Sequence, residues 1–136
     1  MKATTYSKWD ETRAKARLRL LGPATLLRAE GVVLLALSVL LYRMNGESWL
    51  LFGVLLLAPD LSMLGYLARP KVGAPLYNAF HTYALPAVVG ALGMIFASPL
   101  TIAVALIWFA HIGMDRTLGY GLKYPTTFKD THLERV

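Results

Sequence analysis

Four long apolar stretches, parted by short runs of turn-forming residues, constrain this chain more than any other feature. They run from about Ala24 to Tyr42, Trp49 to Leu67, Tyr77 to Ala97 and Pro99 to Leu118. Each is close to the ~20 apolar residues that a bilayer-spanning helix needs. The breaks carry Gly22-Pro23, Asn45-Gly46, Arg69-Pro70 with Gly73 and Pro75, and Ser98-Pro99, all chain-turning chemistry. Ser98 reads as a helix N-cap and Pro99 as the first helical residue, where a missing N–H costs nothing. The last two helices are therefore expected to be antiparallel neighbours.

A soluble helical bundle is the main rival, and its helices would show a polar face at 3.6-residue spacing. Gly31 to Leu41 and Trp49 to Pro59 show none. Hydrophobic residues make up 56% of the 136, charged residues only 16%, against about 25% charged in soluble domains. The expected fold is an all-α integral-membrane four-helix bundle with antiparallel spans: a basic segment 1–23, the bundle 24–118 and a C-terminal segment 119–136. There are no cysteines, so disulfides, thiolate metal sites and cysteine nucleophiles are excluded.

Charge sets the expected orientation. Lys2, Lys8, Arg13, Lys15, Arg17 and Arg19 precede the first span, Arg69 and Lys71 lie in the second loop, and Arg116, Lys123, Lys129 and Arg135 lie at the C-terminal end. Arg43 stands alone on the other side, and Arg28 lies inside the first span. By the positive-inside rule both termini are cytoplasmic, as in a multi-pass protein of the cell's inner membrane. The net charge of +6 then reflects topology and attraction to anionic membrane lipids, and no nucleic-acid partner is expected. No cleavable signal peptide is expected, because the first 22 residues hold no apolar core. Lys8 to Leu21 fits either a basic amphipathic surface helix or a solvated tail.

Ionisable residues inside spans are costly and usually functional. Glu30, Asp60, His81, His111 and Asp115 all lie in or at the ends of the spans. At ~1.5 Å rise per residue, each lies ~5–10 Å in from the cytoplasmic end of its helix. The helices alternate in direction, yet all five groups fall in one leaflet. His111 and Asp115 are spaced i, i+4 and share a helix face, and Asn78 and His81 share another. Pro59 and Pro86 each remove a helix hydrogen bond beside this set, so kinks and a cavity are expected there.

Three carboxylates converging in low dielectric need neutralising. A divalent metal would do it, and mixed imidazole and carboxylate ligands suit Zn, Fe or Mn. All five residues are candidate ligands, with Glu30 and Asp60 also candidates for catalysis. Protonated carboxyls, or carboxylates paired with His, Arg28 or Arg116, would instead make an acid–base group or proton relay. Purely structural hydrogen bonding between helices is the third reading. Gly119 and Gly121 suit a turn that folds Lys123 to His132 under the bundle, from where Asp130 and His132 could reach the site. For those two residues a solvated tail is the favoured reading. Trp49, Trp108, Tyr42, Tyr66 and Tyr77 read as interface belt or packing, and Gly90, Ala91, Gly93 and Ala97 as a close-approach helix face.

The segments Leu27-Arg-Ala-Glu-Gly31, Ala58-Pro-Asp-Leu-Ser-Met-Leu-Gly-Tyr66, Tyr77-Asn-Ala-Phe-His81 and Trp108-Phe-Ala-His-Ile-Gly-Met-Asp-Arg-Thr-Leu-Gly-Tyr-Gly-Leu-Lys-Tyr124, followed by Phe128-Lys-Asp-Thr-His-Leu133, resemble a family of small bacterial four-span membrane proteins of unknown function. The resemblance covers about residues 24–133 and implies a membrane protein. The Pro-Asp and His-x-x-x-Asp elements are also weakly similar to those of membrane-bound metal-dependent hydrolases. The expected function is a metal-dependent enzyme acting on a lipid or other lipophilic small molecule at the cytoplasmic leaflet. The alternatives are a metal-free proton relay or transporter, or a structural, partner-binding membrane protein.

Overall fold

The computed structural model describes residues 21–135 together with Arg13. Nearly all of the expected surface helix Lys8–Leu21 lies outside the described residues. Helix α1 spans Pro23–Asn45 and α2 spans Trp49–Leu55. A 3-10 segment, Ala58–Leu67, continues from α2. Helices α3, Pro70–Phe80, α4, Ala84–Ile95, and α5, Pro99–Leu118, follow, and a short 3-10 turn covers His132–Glu134. The described chain is helical, with a single antiparallel bridge between Lys123 and Thr131.

Two of the four expected spans are long and apolar enough to cross a membrane as continuous helical segments: Pro23–Asn45 and Trp49–Leu67. Their outer surfaces match that reading, with Leu50 77% and Leu67 84% exposed. Large apolar side chains are exposed along both segments. The third stretch differs from expectation. Helix starts at Pro70 rather than near Tyr77, breaks at His81 to Tyr83, and resumes as α4. Pro86 cannot bond the Thr82 carbonyl, which favours a break there.

The kink expected at Pro59 is a change of winding. Pro59 cannot donate to Leu55, and the chain tightens to i→i+3 bonding, with Asp60 N donating to Leu57 O at 3.1 Å. The Ser98 cap forms as its sequence predicts: its Oγ accepts from Thr101 N, and the preceding turn places Ala97 at φ 48°.

Helix α5 is the centre of the molecule. It packs on α1 and α4, and nine of its residues are buried. Burial on several sides explains its lack of a single apolar stripe. Glycines set its two closest approaches. A Cβ at Gly31 would lie 2.7 Å from Arg116 Cβ and 2.8 Å from Thr117 N, and one at Gly93 would lie 2.8 Å from Ile102 N. The small-residue face of α4 thus closes, at Gly90 and Gly93, on α5 of the same chain.

Candidate metal centre

Three elements deliver four side chains to one point. Asp60 comes from the first turn of the 3-10 segment, His81 from the end of α3, and His111 and Asp115 from one face of α5. One ligand-type atom from each lies within 4.8 Å of the others. The two imidazole Nε2 atoms are 3.0 Å apart. His81 Nε2 is 3.4 Å from Asp60 Oδ1 and 3.5 Å from Asp115 Oδ2. His111 Nε2 is 3.6 and 3.7 Å from the same two oxygens. Both imidazoles are fully buried, whereas the Asp60 side chain is 30% exposed.

Hydrogen bonds hold this geometry from behind. His81 Nδ1 lies 2.8 Å from the Tyr77 carbonyl. A carbonyl only accepts, so Nδ1 carries a proton, and in the neutral ring Nε2 presents a lone pair. The Tyr77 hydroxyl donates to Asp115 Oδ2 at 3.1 Å, and its ring stacks on His81 with centroids 3.6 Å apart. Arg116, itself buried, donates to the His81 carbonyl at 3.0 Å and the Tyr120 carbonyl at 2.6 Å. Trp108 Nε1 donates to the Phe80 carbonyl at 2.7 Å. The carbonyls orphaned where α3 ends are thus met by donors from α5.

The Nε2 of His81 therefore faces two carboxylate oxygens and a second imidazole nitrogen. A proton on His111 Nε2 would satisfy one of these contacts and leave two carboxylates turned toward the same lone pair. A cation among the four satisfies all of them. A tetrahedral site with bonds of about 2.0–2.2 Å has ligand–ligand edges of about 3.3–3.6 Å; the nitrogen-centred edges here run from 3.0 to 3.7 Å. Two imidazoles and two carboxylates suit Zn, Fe or Mn.

Asp60 and Asp115 also line a cavity of about 290 Å³, together with Met63, Tyr77, Tyr120, Lys123 and Phe128. Lys123 is buried and donates to the Phe128 carbonyl at 2.8 Å. Its ammonium lies 3.3 Å from the Phe128 ring centroid and 4.7 Å from that of Tyr77. Burial pushes its pKa down, and the charges of Asp115 and Asp60 oppose that shift. Asn78 fixes the Lys123 backbone through both ends of its amide, at 2.8 and 2.7 Å.

Of the five expected site residues, Asp60, His81, His111 and Asp115 come together. Glu30 does not, and the expected ligand set is corrected accordingly. Gly31 takes the face of α1 that touches α5, and Glu30, turned about 100° from it, is exposed. The C-terminal segment folds back under the bundle, as the glycines suggest. Gly119, at φ 95°, ends α5 in a Schellman arrangement, with Tyr120 N donating to Asp115 O at 2.8 Å. Gly121 leaves room for the His132 ring. His132 does not enter the site: its Nδ1 accepts from Leu122 N at 2.7 Å, and its pKa is lowered, chiefly by burial. Asp130 pairs with Arg135. Neither is a solvated tail residue, because the segment is tied to itself and to Asn78. Tyr77 and Lys123 were not singled out for the site from sequence. The i, i+4 spacing of Tyr77 and His81 was the available signal for Tyr77, whereas nothing local marks Lys123.

Comparison with curated proteins and with solved structures returns no match. Nothing in these comparisons supports the expected similarity to membrane-bound metal-dependent hydrolases. A family model does match, over residues 24–136, and takes in all four clustered side chains and the folded C-terminal segment. The chain belongs to the family of the DUF4260 domain, a domain of unknown function.

Proposed function

We propose that this chain is a multi-pass inner-membrane protein that holds one divalent ion, Zn, Fe or Mn, at Asp60, His81, His111 and Asp115. The ion serves chemistry on a lipid or other lipophilic substrate in the cytoplasmic leaflet. The observation that carries this reading is the convergence of His81 Nε2, His111 Nε2 and two carboxylate oxygens on one point. The apolar exterior supports the membrane setting. A metal of this type supplies Lewis acidity and a bound water whose pKa falls to about 7.

Four protein ligands would saturate a tetrahedral ion, which favours a second reading, a purely structural metal. The half-open Asp60 and the cavity on its side support the catalytic reading instead, because they leave room for a water or substrate. A transmembrane proton relay fits less well. The outer-half groove is lined by Leu41, Met44, Ala87, Met94, Ile102 and other apolar residues, with Asn45 its one polar side chain.

Elemental analysis of protein purified in mild detergent, without added metal or chelator, tests the reading. Near-stoichiometric metal is expected in the wild type and in Glu30→Gln, and loss in His111→Ala. A metal-free wild type would overturn it.

A further inference from the structure

The cavity beside the metal ligands carries a charge imbalance. If one divalent ion is bound, it cancels Asp60 and Asp115. Lys123 and Arg116 then remain close by, against the one further carboxylate of Glu134 acting on Lys123, which leaves a net positive charge. The Lys123 ammonium lies on the cavity wall, bonded to a carbonyl and packed against aromatic faces. The Arg116 guanidinium, next to Asp115 in the chain, bonds only the carbonyls of His81 and Tyr120 in the described structure. Among the described residues neither makes an ion pair. Buried cations without a counter-ion are costly, and a bound anion relieves that cost.

Resting on the metal reading above, we infer that this cavity binds a phosphate-type anionic group, its oxygens set between the metal and the Lys123 ammonium. The positive charge left over suits a phosphate-type group, which is anionic at neutral pH. The aromatic faces of Tyr77 and Phe128 lower the dielectric along the cavity wall and strengthen the attraction. An apolar groove lies nearby, lined by Leu55, Ala58, Pro59, Phe80, Ile107 and Trp108 among others. Pro59 and Phe80 directly precede Asp60 and His81, which sets this groove beside the backbone of two ligands. Without a metal, the carboxylates of Asp60, Asp115 and Glu134 outweigh the two cations and no anion is called for.

Cobalt-loaded protein in mild detergent provides the test, through its visible absorption during titration with inorganic phosphate, dodecyl phosphate and 1-dodecanol. A saturable change is expected with both phosphates and none with the alcohol. Tighter binding of dodecyl phosphate would identify an amphiphile's headgroup as the source, and equal binding a free phosphate. Removing a hydrogen bond to a charged group costs about tenfold or more in affinity. Lys123→Met should weaken phosphate binding by at least that factor, and Lys123→Arg by much less, with cobalt content unchanged in both. A wild-type spectrum that neither phosphate moves, or that dodecanol moves as strongly, overturns the inference and leaves the metal centre standing. Phosphate binding in Lys123→Met equal to wild type does the same. Protein that takes up no cobalt overturns both.

Discussion

Tyr77 serves the candidate centre twice. Its carbonyl fixes the His81 ring through Nδ1, and its hydroxyl donates to the Asp115 oxygen that faces both imidazoles. Partners of this kind orient metal ligands, and losing one costs roughly 10–100-fold in metal affinity. Tyr77→Phe keeps the carbonyl and removes only the hydroxyl. It should weaken metal binding by about that range in a competition with a chromophoric chelator. Tyr66→Phe is the matched control, because the Tyr66 hydroxyl has no hydrogen-bond partner among the described residues. Equal affinity in Tyr77→Phe and wild type would remove the hydroxyl from the site. Sequence marks Asp60, His81, His111 and Asp115 as ionisable groups in or at the ends of apolar stretches, which needs only counting along the chain. It could not give Glu30's direction. Depth says nothing of rotation about the helix axis, and Gly31 decides which side of α1 meets α5.

Among the elements, α5 does the positioning. It supplies two ligands, and its Trp108 and Arg116 hold the end of α3, which carries a third. Its contact with α1 depends on backbone meeting backbone at Gly31 and Gly113, where a Cβ would lie 2.7 Å from Leu35 N. Backbone atoms cannot swing aside as a side chain can. Gly31→Ala should therefore destabilise the protein by ~1–3 kcal/mol, the usual cost of overpacking, and lower its melting temperature in detergent. Gly53→Ala is the contrast. Nothing lies within 4 Å of a Cβ there, and alanine favours helix over glycine by up to ~1 kcal/mol, so the melting temperature should hold or rise. Equal responses from the two variants would mean that the α1–α5 contact is looser than its geometry. The winding change at Pro59 and the cap at Ser98 were legible in sequence because each follows from one residue's own backbone chemistry. The break at His81 was only half legible. Pro86 forbids one hydrogen bond, but the place where the chain opens depends on Trp108 and Arg116, nearly thirty residues or more away in sequence.

At the scale of the whole molecule, the break at His81 and the membrane setting bear on each other. Irregular backbone at membrane depth is tolerated only where protein or a cavity satisfies it, and here Trp108 and Arg116 satisfy the exposed carbonyls. Helix α4, with 12 residues, spans about 18 Å at 1.5 Å per residue, so a third crossing needs the end of α3 as well. The segment Trp49–Leu67 is long enough by itself. Its 3-10 half rises ~2.0 Å per residue, which takes the whole past the ~30 Å of bilayer hydrocarbon. Under the proposed topology, Glu47 faces outward, while Lys71 and Thr127 share the cytoplasmic side with the metal ligands. The chain has no cysteine, so single cysteines report side without background. Glu47→Cys should react with a membrane-impermeant maleimide on intact cells, and Lys71→Cys and Thr127→Cys only after permeabilisation. Labelling of Glu47→Cys and Lys71→Cys from the same side would show that Trp49–Leu67 does not cross. The metal cluster would then lie in an interfacial protein, and the assignment to the cytoplasmic leaflet would fail while the ligand geometry stood.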